Sequence, residues 1–266
     1  MADITYIDVL LYLLTGAFAG FSAGLFGIGG GLIIVPVLYF VFSAQGIAAD
    51  SVMHSALATS LASIVFTSVS STLAHHKKHA VIWPLVWRLA PGIVTGAWLG
   101  GMAAARLDTA VLKPVFAVFE LLVALHLLRR ASPVQQRTPL QNPVAVGGGL
   151  TIGFISAIVG IGGGTLTVPF LHWHNIAMRH AVATSAACGL PIALFGAAAY
   201  VVSGWQANLP VPSLGYVNLP ALGFIVITSY LCAPLGARLA HHLPEQRLKM
   251  AFALFLLALS MKMLLG

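Results

Sequence analysis

Two stretches of this sequence have the make-up of an anion-binding backbone. Gly27-Ile-Gly-Gly-Gly-Leu-Ile-Ile-Val-Pro36 and Gly160-Ile-Gly-Gly-Gly-Thr-Leu-Thr-Val-Pro169 each lie inside a long uncharged apolar run. Each glycine disfavours helix by about 1 kcal/mol relative to alanine, and the Val-Pro that follows reinforces the interruption. Where helix restarts, near Leu32 and Thr165, the first N–H groups lack intrahelical partners and carry the positive end of the helix dipole. Two such ends facing each other at membrane depth would hold an anion. Gly29, Gly30, Gly31, Gly162, Gly163 and Gly164 are the candidate donors. The competing reading is close helix packing through small residues, and it is the reading for the isolated Gly16, Gly20, Gly96, Gly100 and Gly101. A nucleotide-binding loop is disfavoured, because neither run is followed by Lys-Ser or Lys-Thr.

The segment after each run supplies hydroxyls and a histidine: His54, Ser55, Thr59, Ser60, Ser63 and Thr67 in one, His180, Thr184 and Ser185 in the other. Ser55, Thr59 and Ser63 share a helix face at i, i+4 spacing. Neutral donors can hold an oxyanion without trapping it, and can equally serve as interhelical hydrogen bonds. His54, Thr59, Ser60, His180, Thr184 and Ser185 join the glycines as the substrate-binding set. Ionisable residues inside apolar segments are few. Glu120 is a candidate for proton coupling, and Arg88 can pair with it or meet the substrate. No metal or cofactor is expected. His75-His-Lys-Lys-His79 and His172-Trp-His174 have no cysteine or acidic neighbours and read as interfacial loops, while Cys188 and Cys232 read as small buried residues. No nucleophile–base pair stands out beyond His54 beside Ser55, so no catalytic residue is assigned.

The elements that must carry these residues are membrane helices. The 266 residues are 59% hydrophobic and 7% charged, against roughly 25% charged in soluble domains. Runs 9–42, 52–74, 144–171, 181–203 and 217–235 contain no charged residue, and about 20 apolar residues span a bilayer core. The first segment has no basic flank before it, so it is expected to stay in the fold rather than be cleaved. Lys and Arg of the +7 net charge sit at segment ends, where they set orientation, and nucleic acid is not expected as a partner.

The chain is also duplicated. The glycine runs repeat at an offset of 133 residues, and Ala58-Thr-Ser60 repeats as Ala183-Thr-Ser185 at an offset of 125. Ala105-Arg-Leu107 recurs as Ala237-Arg-Leu239, and Leu112-Lys113 with Phe116 as Leu248-Lys249 with Phe252. The expected architecture is all-α and polytopic, with a first transmembrane repeat over 1–128, a polar linker over 129–142 and a second repeat over 143–266. Each repeat starts with a glycine-broken segment followed by three ordinary ones. If each broken segment enters and returns, as a re-entrant hairpin or as two crossings, Lys77, Lys78, Arg129, Arg130, Arg137, Arg179, Arg238, Arg247 and Lys249 share one face. Only Arg106, Lys113 and Lys262 then occupy the other. The positive-inside rule favours that arrangement, which makes the halves an inverted repeat and puts the termini outside.

The paired Gly-x-Gly-Gly-Gly-x-x-x-Val-Pro motifs, with the Ala-Thr-Ser elements that follow, resemble the TauE/SafE (sulfite exporter) family of membrane permeases. The resemblance covers about residues 9 to 265. It implies secondary transport of a small sulfur-containing anion such as sulfite or an organosulfonate. An alternating-access carrier in the cell membrane is the leading reading. An anion channel, or a carrier of a small carboxylate or other non-sulfur anion, is the alternative. The expected partners are the anion, the lipid bilayer, a coupling proton and, as a homodimer, a second copy of the chain.

Overall fold

The computed structural model describes residues 5–27, 29–128, 140–207, 209–239 and 245–265. Most of the 129–142 linker, with Arg129, Arg130 and Arg137, lies outside them, as do Asp3 and the side chains of Arg247 and Lys249. Ten helices form among the described residues: α1 Tyr6–Phe26, α2 Gly31–Ala44, α3 Ala49–His76, α4 Trp83–Ala104, α5 Thr109–Leu128, α6 Asn142–Val159, α7 Gly164–Trp173, α8 Met178–Ser203, α9 Leu219–Leu239 and α10 Glu245–Leu265. Six of these, α1, α3, α5, α6, α8 and α9, are long and apolar enough to cross a membrane. The protein is an all-α polytopic membrane protein.

Local sequence explains where the helices begin and end. Thr5 caps α1 by accepting from the Asp8 amide while the Asp8 carboxylate accepts from the Thr5 amide, a reciprocal capping box. α1 and α6 both stop at glycines in the left-handed conformation, Gly27 at φ 69° and Gly160 at φ 70°. The last glycine of each run, Gly31 or Gly164, is already the first residue of the next helix. Pro36 and Pro169 lie inside α2 and α7, so the glycines alone make the break and the Val-Pro step adds nothing to it.

After the break the chain turns back. Gln45, at the end of α2, donates from Nε2 to the Tyr12 hydroxyl of α1 at 2.9 Å, and the rings of Phe42 and Tyr12 are 6.5 Å apart. In the second half Gly148 of α6 lies against the Phe170 ring of α7. The 14 residues of α2 and the 10 of α7 span about 21 and 15 Å, short of the ~30 Å bilayer core. Both broken segments fold back on themselves as helical hairpins.

Helix packing crosses the two halves in matched pairs. α1 lies along α9 and α4 along α6, α3 and α8 meet at the centre, and α5 pairs with α10 at the side. Small residues let the outer pairs close: Gly16, Gly20 and Gly24 back onto Ile225, Ser229 and Ala233, and Gly92, Gly96 and Gly100 onto Val146, Leu150 and Phe154. These glycines are packing residues, as close backbone approach requires. One element is absent from the sequence reading. The α8–α9 connection carries a two-strand hairpin, β1 Ser213–Leu214 with β2 Val217–Asn218, whose Val217 and Asn218 are buried.

The charged ends separate along this frame. Arg179 donates to the Lys78 carbonyl and Lys78 to the Ala237 carbonyl, which gathers Lys78, Arg179 and Arg238 where α3 and α9 end and α8 begins. Partial withdrawal from water, then the nearby Arg179 and Arg238, hold the Lys78 ammonium below the ordinary lysine range. At the opposite end Lys113 and Lys262 lie over Tyr39 and Phe40, 5.3 and 4.3 Å from the ring centroids.

Candidate functional site

The two glycine interruptions meet inside the bundle. A Cβ on Gly29 would stand 2.7 Å from the Gly162 Cα, and Gly31 faces the carbonyl of Gly160. Gly29 and Gly30 adopt φ 84° and 76°, and Gly163 φ 75°, values that favour glycine. The Gly30 carbonyl accepts from the amides of Ile33 and Ile34, and the Gly163 carbonyl from those of Leu166 and Thr167. The amides of Gly31, Leu32, Gly164 and Thr165 find no backbone acceptor among the described residues. They are the orphan donors of α2 and α7.

Beside this contact lies a small cavity lined by Ala23, Gly27, Gly29, Gly162 and Ala186, with Thr67, Ser68 and Ser71 from α3. Its volume is about 10 Å³, room for about one water. Ser71 is buried, and its hydroxyl has no hydrogen-bond partner in the structure. Thr67 donates to Ser229 Oγ at 2.9 Å. Hydroxyls and glycine backbone therefore face the chamber, and among the described residues no cationic side chain lines it. Such a lining can solvate an oxyanion by donation without a fixed countercharge.

The hydroxyls that recur in both halves do something else. Ser60 donates to the Gly160 carbonyl at 2.8 Å, and Ser185 sits 3.4 Å from the Gly27 carbonyl. Ser60 ties its half to the helix end at the other half's glycine run, whereas Ser185 approaches Gly27 but makes its shorter bond, 2.8 Å, to the Val182 carbonyl of its own helix. Thr59 Oγ1 accepts from the Asn218 amide at 3.0 Å, and Thr184 Oγ1 from the Ile82 amide at 3.1 Å. The four residues thus hold the interruptions and two loops in register. His54 is stacked on Tyr216 with Nδ1 on the Asp50 carbonyl, and His180 Nδ1 meets the Ala80 carbonyl at 2.8 Å. His54 lies fourteen residues from Ser68 along α3, about 21 Å, and lies outside the chamber. Arg88 is exposed on α4, whereas Glu120 is 0% exposed with neither carboxyl oxygen partnered. The pairing expected between them does not occur, because they face different surroundings. No group of His, Cys, Asp and Glu among the described residues is arranged to hold a metal ion.

Sequence reasoning passed over Ser68 and Ser71. At the offset of 125 their counterparts are Ala193 and Gly196, so a search for repeated residues does not find them. The signal that could have found them is the face they share with Thr67 beside the break.

A closed chamber walled by helices from both halves and offering donors without fixed charge is the interior of a solute-carrying membrane protein. The chain belongs to the family described as Sulfite exporter TauE/SafE, which it matches over residues 12–263. It is 40% identical to a probable membrane transporter protein of Haemophilus influenzae over 97% of this chain and 98% of that one. A probable membrane transporter protein of Methanocaldococcus jannaschii is 26% identical over 96% of this chain and 95% of the relative. One from Bacillus subtilis, YunE, is 28% identical over 74% and 80%. No solved structure matches the chain. The protein is a membrane transporter and not an enzyme.

Proposed function

We propose that the protein is a secondary carrier, in the cell membrane, for a small oxyanion of the sulfite or organosulfonate class. The observation that carries this reading is the contact of Gly29 with Gly162 beside the unpartnered Ser71 hydroxyl. The sulfur chemistry rests on the family name alone, and the chamber's donors would serve a small carboxylate too. Orphan amides of α2 and α7, with Thr67, Ser68 and Ser71, bind the anion. Thr59, Ser60, Thr184 and Ser185 keep the donors aimed.

The carrier reading is preferred to a channel because the cavity of about 10 Å³ has room for about one water, and an anion enters it only when the surrounding helices move. The matched contacts of α1 with α9 and α6 with α4 support an inverted repeat, with the Lys78–Arg179–Arg238 end cytoplasmic. Each half's first helix is packed on the other half's fourth, so alternating access does not move one half as a unit against the other. The mobile bodies have to contain helices from both.

The decisive experiment is a binding screen of purified protein against sulfite, sulfate, thiosulfate, sulfonates and small carboxylates, followed by counterflow in proteoliposomes. Saturable binding and counterflow of a sulfur oxyanion are expected. Selective binding of a carboxylate would move the substrate class, and ion conductance without counterflow would replace the carrier by a channel.

A further inference from the structure

Glu120 is the most anomalous residue of the fold. Its side chain is 0% exposed, and neither oxygen finds a hydrogen-bond partner among the described residues. An ionised, unpaired carboxylate in such surroundings costs several kcal/mol, so the group that fits is the neutral acid. Packing does not require an acid there. At the offset of 136 set by Phe116 and Phe252, its counterpart is Leu256, likewise fully buried. One half fills the position with hydrocarbon and the other with a carboxyl group.

Among the described residues no charge nearby neutralises it. α5 packs against α10, α3 and α6. From α10 the described charged side chain is Lys262, whose ammonium lies over the Phe40 ring. α3 carries Asp50 and His54 towards one end, where Thr109 Oγ1 donates to the Asp50 carbonyl and His54 Nδ1 meets it. Glu120 is eleven residues further along α5 than Thr109, about 16 Å. The histidines His75 and His76 close the other end of α3, and α6 has no titratable residue. On α5 itself Lys113 lies over Tyr39 and His126 stands in the last turn.

We propose that Glu120 is the proton-carrying group of this transporter, holding one proton per chain on the buried face of α5 while the central chamber is closed. The inference rests on the anion-carrier reading, and adds what is coupled to it. α3 bears the chamber hydroxyls and also packs on α5, so a movement that opens the chamber disturbs the enclosure of Glu120. On exposure to water the carboxyl O–H breaks, the proton passes to water on the open face, and a solvated carboxylate remains. It takes a proton from water on the opposite face once the unloaded carrier has returned, before α5 is enclosed again for the next loaded passage.

The test uses the full chain in proteoliposomes with thiosulfate as solute, which carries no proton near neutral pH. Wild type is expected to show a protonated-carboxyl infrared band at neutral pH that disappears in Glu120→Gln. Glu120→Gln, which mimics the neutral acid, is expected to keep thiosulfate binding and counterflow but lose at least about tenfold of its pH-gradient-driven accumulation. Glu120→Leu, copying the other half, should behave alike and shows whether loss follows the proton or the shape. Accumulation by Glu120→Gln equal to wild type, or absence of the band in wild type, overturns the proposal. Failure of wild type to bind any anion overturns the carrier reading instead, and the infrared band still reports on the proton.

Discussion

Ser71 and Ser60 sit on the same helix, and their hydroxyls are predicted to fail in opposite ways. Ser71 Oγ is buried without a partner, so Ser71→Ala removes a desolvated group that contributes no bond to the closed fold. The variant is expected to unfold within about 0.5 kcal/mol of wild type, while anion affinity falls roughly tenfold, the ~1.4 kcal/mol of one hydrogen bond to a charged solute. Ser60 donates to the Gly160 carbonyl. Ser60→Ala leaves that carbonyl buried and unpaired, which costs about 1–3 kcal/mol, and the loss should appear as a lower unfolding midpoint in detergent. Thermal unfolding beside equilibrium binding separates the two cases. The contrast also marks what sequence can tell about a site. Recurrence in both halves singled out Thr59, Ser60, Thr184 and Ser185, and recurrence selects what the two-fold arrangement needs, namely ties between halves. A solute lying to one side of that arrangement meets unrepeated residues, and Ser68 and Ser71 are replaced by Ala193 and Gly196 at the equivalent positions of the second half.

Hydropathy located the helices because apolar composition follows burial and lipid contact, whatever the direction of the chain. It could not show that α2 and α7 turn back. That information came from where Lys and Arg fall, and in the fold from Gln45 reaching Tyr12 and Phe170 reaching Gly148. The β1–β2 hairpin left no such trace, because two-residue strands have no periodicity to read. At this scale the glycine run is the element most open to test. Gly29 has φ 84° and a Cβ there would press on the Gly162 Cα, so Gly29→Ala separates the two interruptions as well as straining one. Transport is expected to drop at least about 100-fold, corresponding to ~2.7 kcal/mol, with membrane insertion retained because α1 keeps its packing on α9. Gly96→Leu tests the other use of glycine. Its Cα lies against the Leu150 backbone of α6, and a side chain there forces α4 and α6 apart. Loss of monodisperse, folded protein on size exclusion is expected, and normal yield with normal transport would show that the pair tolerates separation.

The whole molecule is closed at two ends by ties that the repeat makes equivalent. At one end the Asn218 amide, on the loop before α9, donates to Thr59, and Tyr216 stacks on His54 at 5.0 Å. At the other the Ile82 amide, on the loop before α4, donates to Thr184, and His180 meets the Ala80 carbonyl. A carrier that opens each face in turn must break one tie while the other holds; a static scaffold breaks neither. Cysteine pairs at 59 and 218, and separately at 82 and 184, in a background with Cys188→Ala and Cys232→Ala, distinguish these when joined by a short reducible thiol crosslinker. Locking either pair alone is expected to suppress both net flux and counterflow at least about tenfold, and reduction should restore them. Net flux needs the whole cycle and counterflow the loaded passage between faces, so both require each tie to open. If one lock leaves flux intact, the loop at that end is fixed in transport and the solute passes elsewhere. Equal sensitivity of the two locks would show that the gates, like the helices they join, are one device used twice.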